Sequence, residues 1–199
     1  MDDFERIAED LKSTSPHFRA VAVKKLGASS DPRAVDLILP MLQDRNKQVR
    51  VEAVAALGNL GDDRAIEPLI ALWRREGQKA EEFPTAEDAE PYTVNPGLIA
   101  RTLGTRFGAR AVDALIANID LFGVIYLLGE IGDPRAVDAL LVVLAQPQIT
   151  FQHTGAVIAL GKIGDPRAVP TLEHFLSVRI PGIEIDTLAR EAIQKIQQR

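Results

Sequence analysis

A short phrase that recurs at a nearly constant distance constrains the fold of this chain more than any other feature. It reads Gly-Asp-Pro-Arg-Ala-Val at 132–137 and again at 164–169, with looser copies at 31–35 and 63–66. A Leu-Gly pair also recurs, at intervals of 31, 46, 25 and 32 residues, at 26–27, 57–58, 103–104, 128–129 and 160–161. Self-similarity of this kind indicates an architecture that stacks one supersecondary unit.

Each copy of the phrase predicts the start of a helix. The Asp side chain can accept hydrogen bonds from free backbone N–H groups, and Pro suits the first helical position. Apolar residues follow at three- and four-residue spacing, which indicates one buried stripe. A polar turn then leads to a second helix that ends at the Leu-Gly pair. We therefore predict an all-α chain that forms a single domain over 1–199: an α-solenoid of about five to six helical hairpins with one irregular, loop-inserted middle repeat.

The stretches 128–137 and 160–169 resemble the HEAT-like repeats of the phycobilisome (bilin) lyase type, and recognisable copies cover residues 15–178. The resemblance implies HEAT-like hairpins and a protein partner. It implies a bilin as an alternative cofactor, because bilin lyase subunits carry such repeats; otherwise no cofactor is expected. These repeats often pair a turn aspartate with an arginine of the second helix, a pattern that Asp44 and Arg50 fit.

Composition excludes several classes of function. The chain has no cysteine, which removes thiolate metal sites and cysteine nucleophiles. Its net charge is −5, and no basic footprint indicates binding to nucleic acid. No apolar run approaches the ~20 residues of a membrane span. The acidic start at Met1 shows no secretory signal, so we expect a cytoplasmic protein without membrane contact.

Catalytic signatures are also missing from the sequence. The three histidines, His17, His153 and His174, have no second ligand at metal spacing, and the chain has no His-Glu dipeptide of the kind that binds iron in some HEAT-repeat enzymes. The sequence contains neither a phosphate-binding Gly-x-x-x-x-Gly-Lys nor a Gly-x-Ser-x-Gly motif. We expect no catalytic residue and no metal site.

The second helices of a solenoid line its concave face, which is the usual binding surface. Aligning the copies on their Leu-Gly pairs predicts two rows of side chains along that face. His153 stands where earlier repeats have an arginine and is expected to form hydrogen bonds. The predicted partner-binding residues are Lys24, Arg101, Phe122, Tyr126, His153, Thr154 and Ile158.

The fourth second helix, predicted over 120–130, is apolar on nearly every side. Two interpretations remain open for its aromatic residues, Phe122 and Tyr126. They can form an exposed patch that anchors a partner. Alternatively, the inserted loop covers them, or the short repeat shifts its register and buries both rings.

The insertion at 76–97 contains six acidic residues against one lysine. It is predicted to be an acidic loop, and the functional interpretation is a flap over the concave face with Phe83 and Tyr92 as its anchors. A solvated acidic excursion is the alternative.

Three functions follow from this pattern. The first is a non-enzymatic interaction or scaffold module that binds a protein on its concave face. The second is a bilin lyase subunit or another phycobilisome-handling protein, in which Tyr126, Arg101, Lys24 and His153 would contact the bilin. The third is a structural protein that assembles into homo-oligomers.

Overall fold

A computed structural model of the chain describes residues 3–29, 31–80, 93–179, 182 and 184–198. Within these residues the chain forms helices and turns and no β-strand, which confirms the all-α prediction. The helices are α1 (Asp3–Asp10), α2 (Pro16–Gly27), α3 (Arg33–Ile38), α4 (Lys47–Leu60), α5 (Ile66–Ala80), α6 (Pro96–Thr102), α7 (Val112–Ala117), α8 (Val124–Ile131), α9 (Val137–Leu144), α10 (Phe151–Ile163), α11 (Val169–His174) and α12 (Ile185–Gln197).

The chain divides into two compact units, Met1–Gly108 and Ala109–Arg199. The described helices form three hairpins in each unit: α1–α2, α3–α4 and α5–α6 in the first, and α7–α8, α9–α10 and α11–α12 in the second. The second helices of successive hairpins pack on one another, α2 on α4 in the first unit and α8, α10 and α12 in order in the second. Contacts between neighbouring repeats are those of a solenoid. The single domain over 1–199 stays a prediction.

The copies of the phrase at 63–66, 132–137 and 164–169 begin hairpins as predicted, each through a single 3₁₀ turn that precedes the α-helix, and the copy at 31–35 leads directly into α3. Asp133 accepts a hydrogen bond from the backbone N–H of Arg135 at 2.9 Å. The Arg135 guanidinium then binds both Asp133 and Asp113, the latter in the preceding hairpin, at 2.9 and 2.8 Å. Arg167 repeats this arrangement one hairpin later with Asp165 and Asp138. These pairs are exposed, so each stabilises the fold by only about 0.2–1 kcal/mol.

The Leu-Gly pair marks the place where two second helices approach most closely. A Cβ atom added at Gly129 of α8 would lie 2.8 Å from Ala159 Cα and 2.9 Å from Ala159 Cβ on α10. Only glycine permits this contact, because any larger residue would force the two helices apart. The glycine of the repeat therefore serves helix packing.

A buried ion pair joins α2 to the turn that precedes α4. Arg19 of α2 donates two hydrogen bonds to the Asp44 carboxylate, from Nε at 2.7 Å and from Nη2 at 2.8 Å. Both side chains are under one tenth exposed. The expected pairing of Asp44 with Arg50 takes a different form, because Arg50 donates to the backbone carbonyl of Asp44 at 3.0 Å.

The Arg50 guanidinium is buried against Glu76, with Nε 3.1 Å from Oε1. The same carboxylate accepts a hydrogen bond from the backbone N–H of Val94 at 2.9 Å. Glu76 therefore connects α4, α5 and the segment before α6. Glu76 and the four residues after it, which the sequence analysis assigned to the acidic loop, are helical and belong to α5. Most of the predicted flap, including Phe83 and Tyr92, lies outside the described residues.

Because Asp44 is a paired, buried carboxylate, we expect the free energy of unfolding to depend on pH. Burial alone would raise the pKa of Asp44, but hydrogen bonds from Arg19 and from the Asn46 N–H, with the nearby positive charges, lower the pKa below its usual value. A lowered folded-state pKa contributes stability that is present above the unfolded pKa of about 3.9 and is lost as pH falls through the folded value.

We therefore expect the difference in unfolding free energy between wild type and Asp44→Asn to be constant above about pH 5 and to shrink at lower pH. Urea unfolding followed by circular dichroism across this range measures it. Asp3→Asn, which removes an exposed pair with Arg6 on α1, is the control. A difference between wild type and Asp44→Asn that does not change with pH would contradict the prediction.

Candidate functional site

The chain enters α8 through a turn that leaves an aromatic ring in solvent. Gly123 has φ +90°, a left-handed conformation that L side chains rarely adopt, so the helix starts at Val124 and not at 120 as predicted. Phe122 precedes this glycine and is 93% exposed, and Tyr126, in the first turn of α8, is 61% exposed. The interpretation in which a register shift buries both rings does not fit these exposures.

The next second helix, α10, carries further apolar side chains on its exposed side. Phe151 at its first position is 84% exposed and Ile158 is 37% exposed, with Thr154 partly exposed between them. The two helices lie side by side, since a Cβ at Gly155 would be 3.3 Å from the Ile125 side chain. We call Phe122, Tyr126, Phe151, Thr154 and Ile158 the aromatic face.

A polar cluster holds one ring of the aromatic face in place. The Lys162 ammonium lies 4.5 Å from the centroid of the Tyr126 ring and forms an ion pair with Glu130. Hydrogen bonds from Lys162, and to a smaller extent from Tyr126, lower the pKa of Glu130. The hydrogen bond to Glu130 likewise raises the pKa of Lys162, so both groups stay charged around neutrality. The cluster orders Tyr126 and leaves its ring accessible.

His153 is buried and stabilises the start of α10. Its side chain is 2% exposed, and Nδ1 lies 3.2 Å from the backbone nitrogen of Thr150 while Nε2 lies 3.3 Å from the carbonyl oxygen of Gln146. Thr150 and His153 together form a capping box at the start of α10. The expected hydrogen-bonding role agrees with this geometry, whereas contact with a partner does not, because both ring nitrogens face the protein.

The remaining predicted residues lie in the first unit. Lys24 on α2 and Arg101 on α6 are exposed, as the alignment of the Leu-Gly pairs predicts. They belong to Met1–Gly108, whereas the aromatic face belongs to Ala109–Arg199. That all of these residues lie on one continuous concave surface stays a prediction.

Phe151 is a member of the aromatic face that sequence reasoning missed. On α10 the predicted rows contain Ile158 and Thr154 and end one helical turn short of the N-terminus of the helix. Extending the same helical spacing by three residues reaches Phe151, which Thr154 contacts by donating its hydroxyl to the Phe151 carbonyl at 2.8 Å. The periodicity therefore contained the signal.

Among the described residues, no group of three or more histidine, aspartate or glutamate side chains is arranged to hold a metal ion. None of the helices that the structure describes has both the length and the apolar character to cross a bilayer.

Comparison with known proteins places the repeats in a family. The sequence profile of HEAT repeats matches residues 5–80 and 122–180. No curated protein sequence matches significantly.

Three solved structures are similar in helical architecture. Human deoxyhypusine hydroxylase in complex with glycerol is 21% identical, with coverage of 98% of this chain and 85% of that chain and a TM-score of 0.48. An engineered protein is 18% identical over 100% and 98%, with a TM-score of 0.45. The complex of CpcE and CpcF of phycocyanin lyase from a Nostoc species is 20% identical over 98% and 95%, with a TM-score of 0.39. The family profile, which matches more than half of the residues, decides the assignment: this chain belongs to the HEAT repeat family.

Proposed function

We propose that this protein is a non-enzymatic interaction module that binds a partner protein through the aromatic face. One observation carries the proposal: three aromatic side chains, Phe122 just before α8, Tyr126 on α8 and Phe151 at the start of α10, are exposed by 93%, 61% and 84%. Aromatic side chains are the residues that most often anchor protein interfaces. Clustered exposed apolar groups also mark interaction sites, whereas single ones need no explanation.

The partner segment that fits this face is apolar and presents aliphatic or aromatic side chains. The face consists of two phenylalanine rings, a tyrosine ring, an isoleucine and a threonine, and the neighbouring Lys162 and Glu130 neutralise each other. Burial of apolar area therefore supplies the binding free energy, at roughly 25 cal/mol per Å² before the costs of association. The held position of Tyr126 reduces the entropy lost on binding.

The chemistry of the face supports binding in preference to catalysis. Its groups are aromatic rings, an aliphatic side chain and hydroxyls, and the Glu130 carboxylate beside the Tyr126 hydroxyl is paired with the Lys162 ammonium. His153, the nearest imidazole on α10, is buried in its capping box.

Two alternative predictions have their own tests. A bilin lyase subunit would change the absorbance of free bilin on mixing, alone or with a second HEAT-like chain. A self-assembling repeat protein would show a molecular mass that rises with concentration in light scattering. Neither alternative requires the aromatic face to bind a partner.

The double variant Phe122→Ala/Tyr126→Ala tests the proposal. We expect affinity for the captured partner to fall by at least about 30-fold, since interface anchors commonly contribute about 2 kcal/mol or more. Affinity capture from lysate of the source cells, quantified by mass spectrometry, identifies the partner, and calorimetry with the purified partner measures the affinity. The stability of the variant should stay within about 0.5 kcal/mol of wild type, because both side chains are exposed.

Exposed apolar residues elsewhere supply matched controls. Val142 on α9 is 62% exposed and Phe18 on α2 is 57% exposed, and both lie outside the aromatic face. Val142→Ala and Phe18→Ala should keep wild-type affinity. Equal affinity of wild type and the Phe122→Ala/Tyr126→Ala variant would overturn the proposal.

A further inference from the structure

The helix α12 continues the surface that carries the aromatic face. A Cβ atom added at Gly161 of α10 would lie 2.8 Å from Ala192 Cβ on α12. The contact between Gly129 of α8 and Ala159 of α10 has the same form one hairpin earlier. These matching contacts align Ala192 with Ala159, so residues at the same distance along the chain from each alanine occupy equivalent positions on the two helices.

The positions of α12 that are equivalent to the aromatic face are polar. This alignment sets the following residues in register with Phe151, Thr154 and Ile158 of α10: Glu184, Thr187 and Glu191. All three side chains of the α12 row are exposed. The apolar surface of α8 and α10 therefore has an acidic border along α12.

The two carboxylates of this border are available to a ligand. Neither Glu184 nor Glu191 forms an ion pair or a side-chain hydrogen bond with any residue that the structure describes. The other acid in the first half of α12, Asp186, is paired with Arg179 at 3.0 Å. An exposed carboxylate without a partner attracts a cation, and the attraction strengthens when a bound segment excludes water.

Two basic residues of α12 lie outside the border. Lys195 stands one helical turn beyond Glu191, in register with Lys162 of α10, and so marks the end of the row. Arg190 is in register with Val157, which is buried between helices, so it lies on another side of α12. The border from 184 to 191 is therefore negatively charged.

We infer that the partner segment carries a lysine or arginine beside its apolar anchors, and that this cation binds the Glu184 and Glu191 carboxylates while the anchors cover the aromatic face. The inference rests on the proposed function and adds to it the charge of the partner. Burial of the anchors supplies affinity, whereas complementary charge at the border supplies specificity and faster association. An acidic segment with the same apolar residues would be repelled.

The packing of the helices also sets the spacing within the partner. Neighbouring helix axes lie about 8–10 Å apart. A basic side chain over α12 is therefore about three positions from an anchor over α10 in an extended segment, at about 3.3 Å per residue. In a helical segment, at about 1.5 Å per residue, it is about six positions away.

Panning of a phage-displayed library of random peptides against the full chain tests the inference. Wild type should enrich peptides in which aromatic or aliphatic residues are accompanied by lysine or arginine at these spacings. Glu184→Lys/Glu191→Lys should enrich aspartate or glutamate instead. An enriched peptide should bind Glu184→Gln/Glu191→Gln about fivefold more weakly at low salt, with a difference that shrinks as salt rises.

A variant of equal charge separates the border from the overall field. Glu67→Lys/Glu173→Lys reverses two exposed acids on the first helices α5 and α11 and should enrich the same basic peptides as wild type. The same change of peptide charge in both reversed variants would overturn the inference.

Selection on Phe122→Ala/Tyr126→Ala distinguishes failure of the inference from failure of the proposed function. Peptides that need Phe122 and Tyr126 but show no excess of lysine or arginine would overturn the inference and leave the proposed function standing. Peptides that bind wild type and this variant equally would overturn both.

Discussion

Replacing Glu76 with alanine is expected to lower the free energy of unfolding by about 3–5 kcal/mol, because it leaves a buried guanidinium without its counter-ion. The Glu76 side chain is 1% exposed and that of Arg50 is 6% exposed. The substitution also removes the acceptor of the Val94 N–H. Urea unfolding monitored by circular dichroism gives the difference from wild type.

Two further variants make this prediction specific. Asp36→Ala removes a pair with Arg64 whose side chains are about half exposed or more, so it should cost less than about 1 kcal/mol. Arg50→Met/Glu76→Leu replaces both charges with apolar side chains and should recover most of the loss, because breaking a buried pair costs more than replacing it. A cost for Glu76→Ala as small as that for Asp36→Ala would show that the pair does not hold the repeats together.

Replacing Gly129 with alanine is the second substitution with a large expected effect. Alanine gains up to about 1 kcal/mol over glycine in a helix, yet its Cβ would lie 2.8 Å from the Ala159 backbone. Overpacking of this kind costs about 1–3 kcal/mol or more, so we expect net destabilisation. Thermal or urea unfolding measures the change.

Gly155→Ala is the matched control, with the same substitution on the neighbouring helix. The nearest atom to its new Cβ is the Ile125 Cγ2 at 3.3 Å, which is the end of a side chain that can move. We expect a change close to zero or a slight stabilisation. If both glycines tolerate alanine equally, close approach at Gly129 does not explain the repeated Leu-Gly pair.

The repeat pattern predicts much of this fold because it encodes local geometry. The phrase with Asp133 and Arg135 contains its own cap, and helical periodicity places Lys24, Arg101, Tyr126 and Ile158 on exposed positions, as found. Both features depend on residues a few positions apart. The hairpins that the structure describes follow from them.

Features that depend on distant residues could not be predicted in the same way. The pairing of Arg50 with Glu76 joins residues 26 positions apart, and the composition of the acidic segment concealed it. His153 was predicted to form hydrogen bonds and also to contact a partner, but the sequence did not show that the Gln146 carbonyl, seven positions away, would lie against its ring and that the side chain would be buried. The exposure of Phe122 depends on the left-handed Gly123, which the apolar pattern of the helix did not reveal.

Photocrosslinking at position 122 tests most directly whether the aromatic face binds a partner protein. The photoreactive residue p-benzoylphenylalanine replaces Phe122 in one variant and Val142, an exposed residue on α9, in the other. We expect a covalent adduct with one partner protein from position 122, which unlabelled wild-type protein competes away, and none from position 142. No adduct from position 122, or the same adducts from both positions, would contradict it.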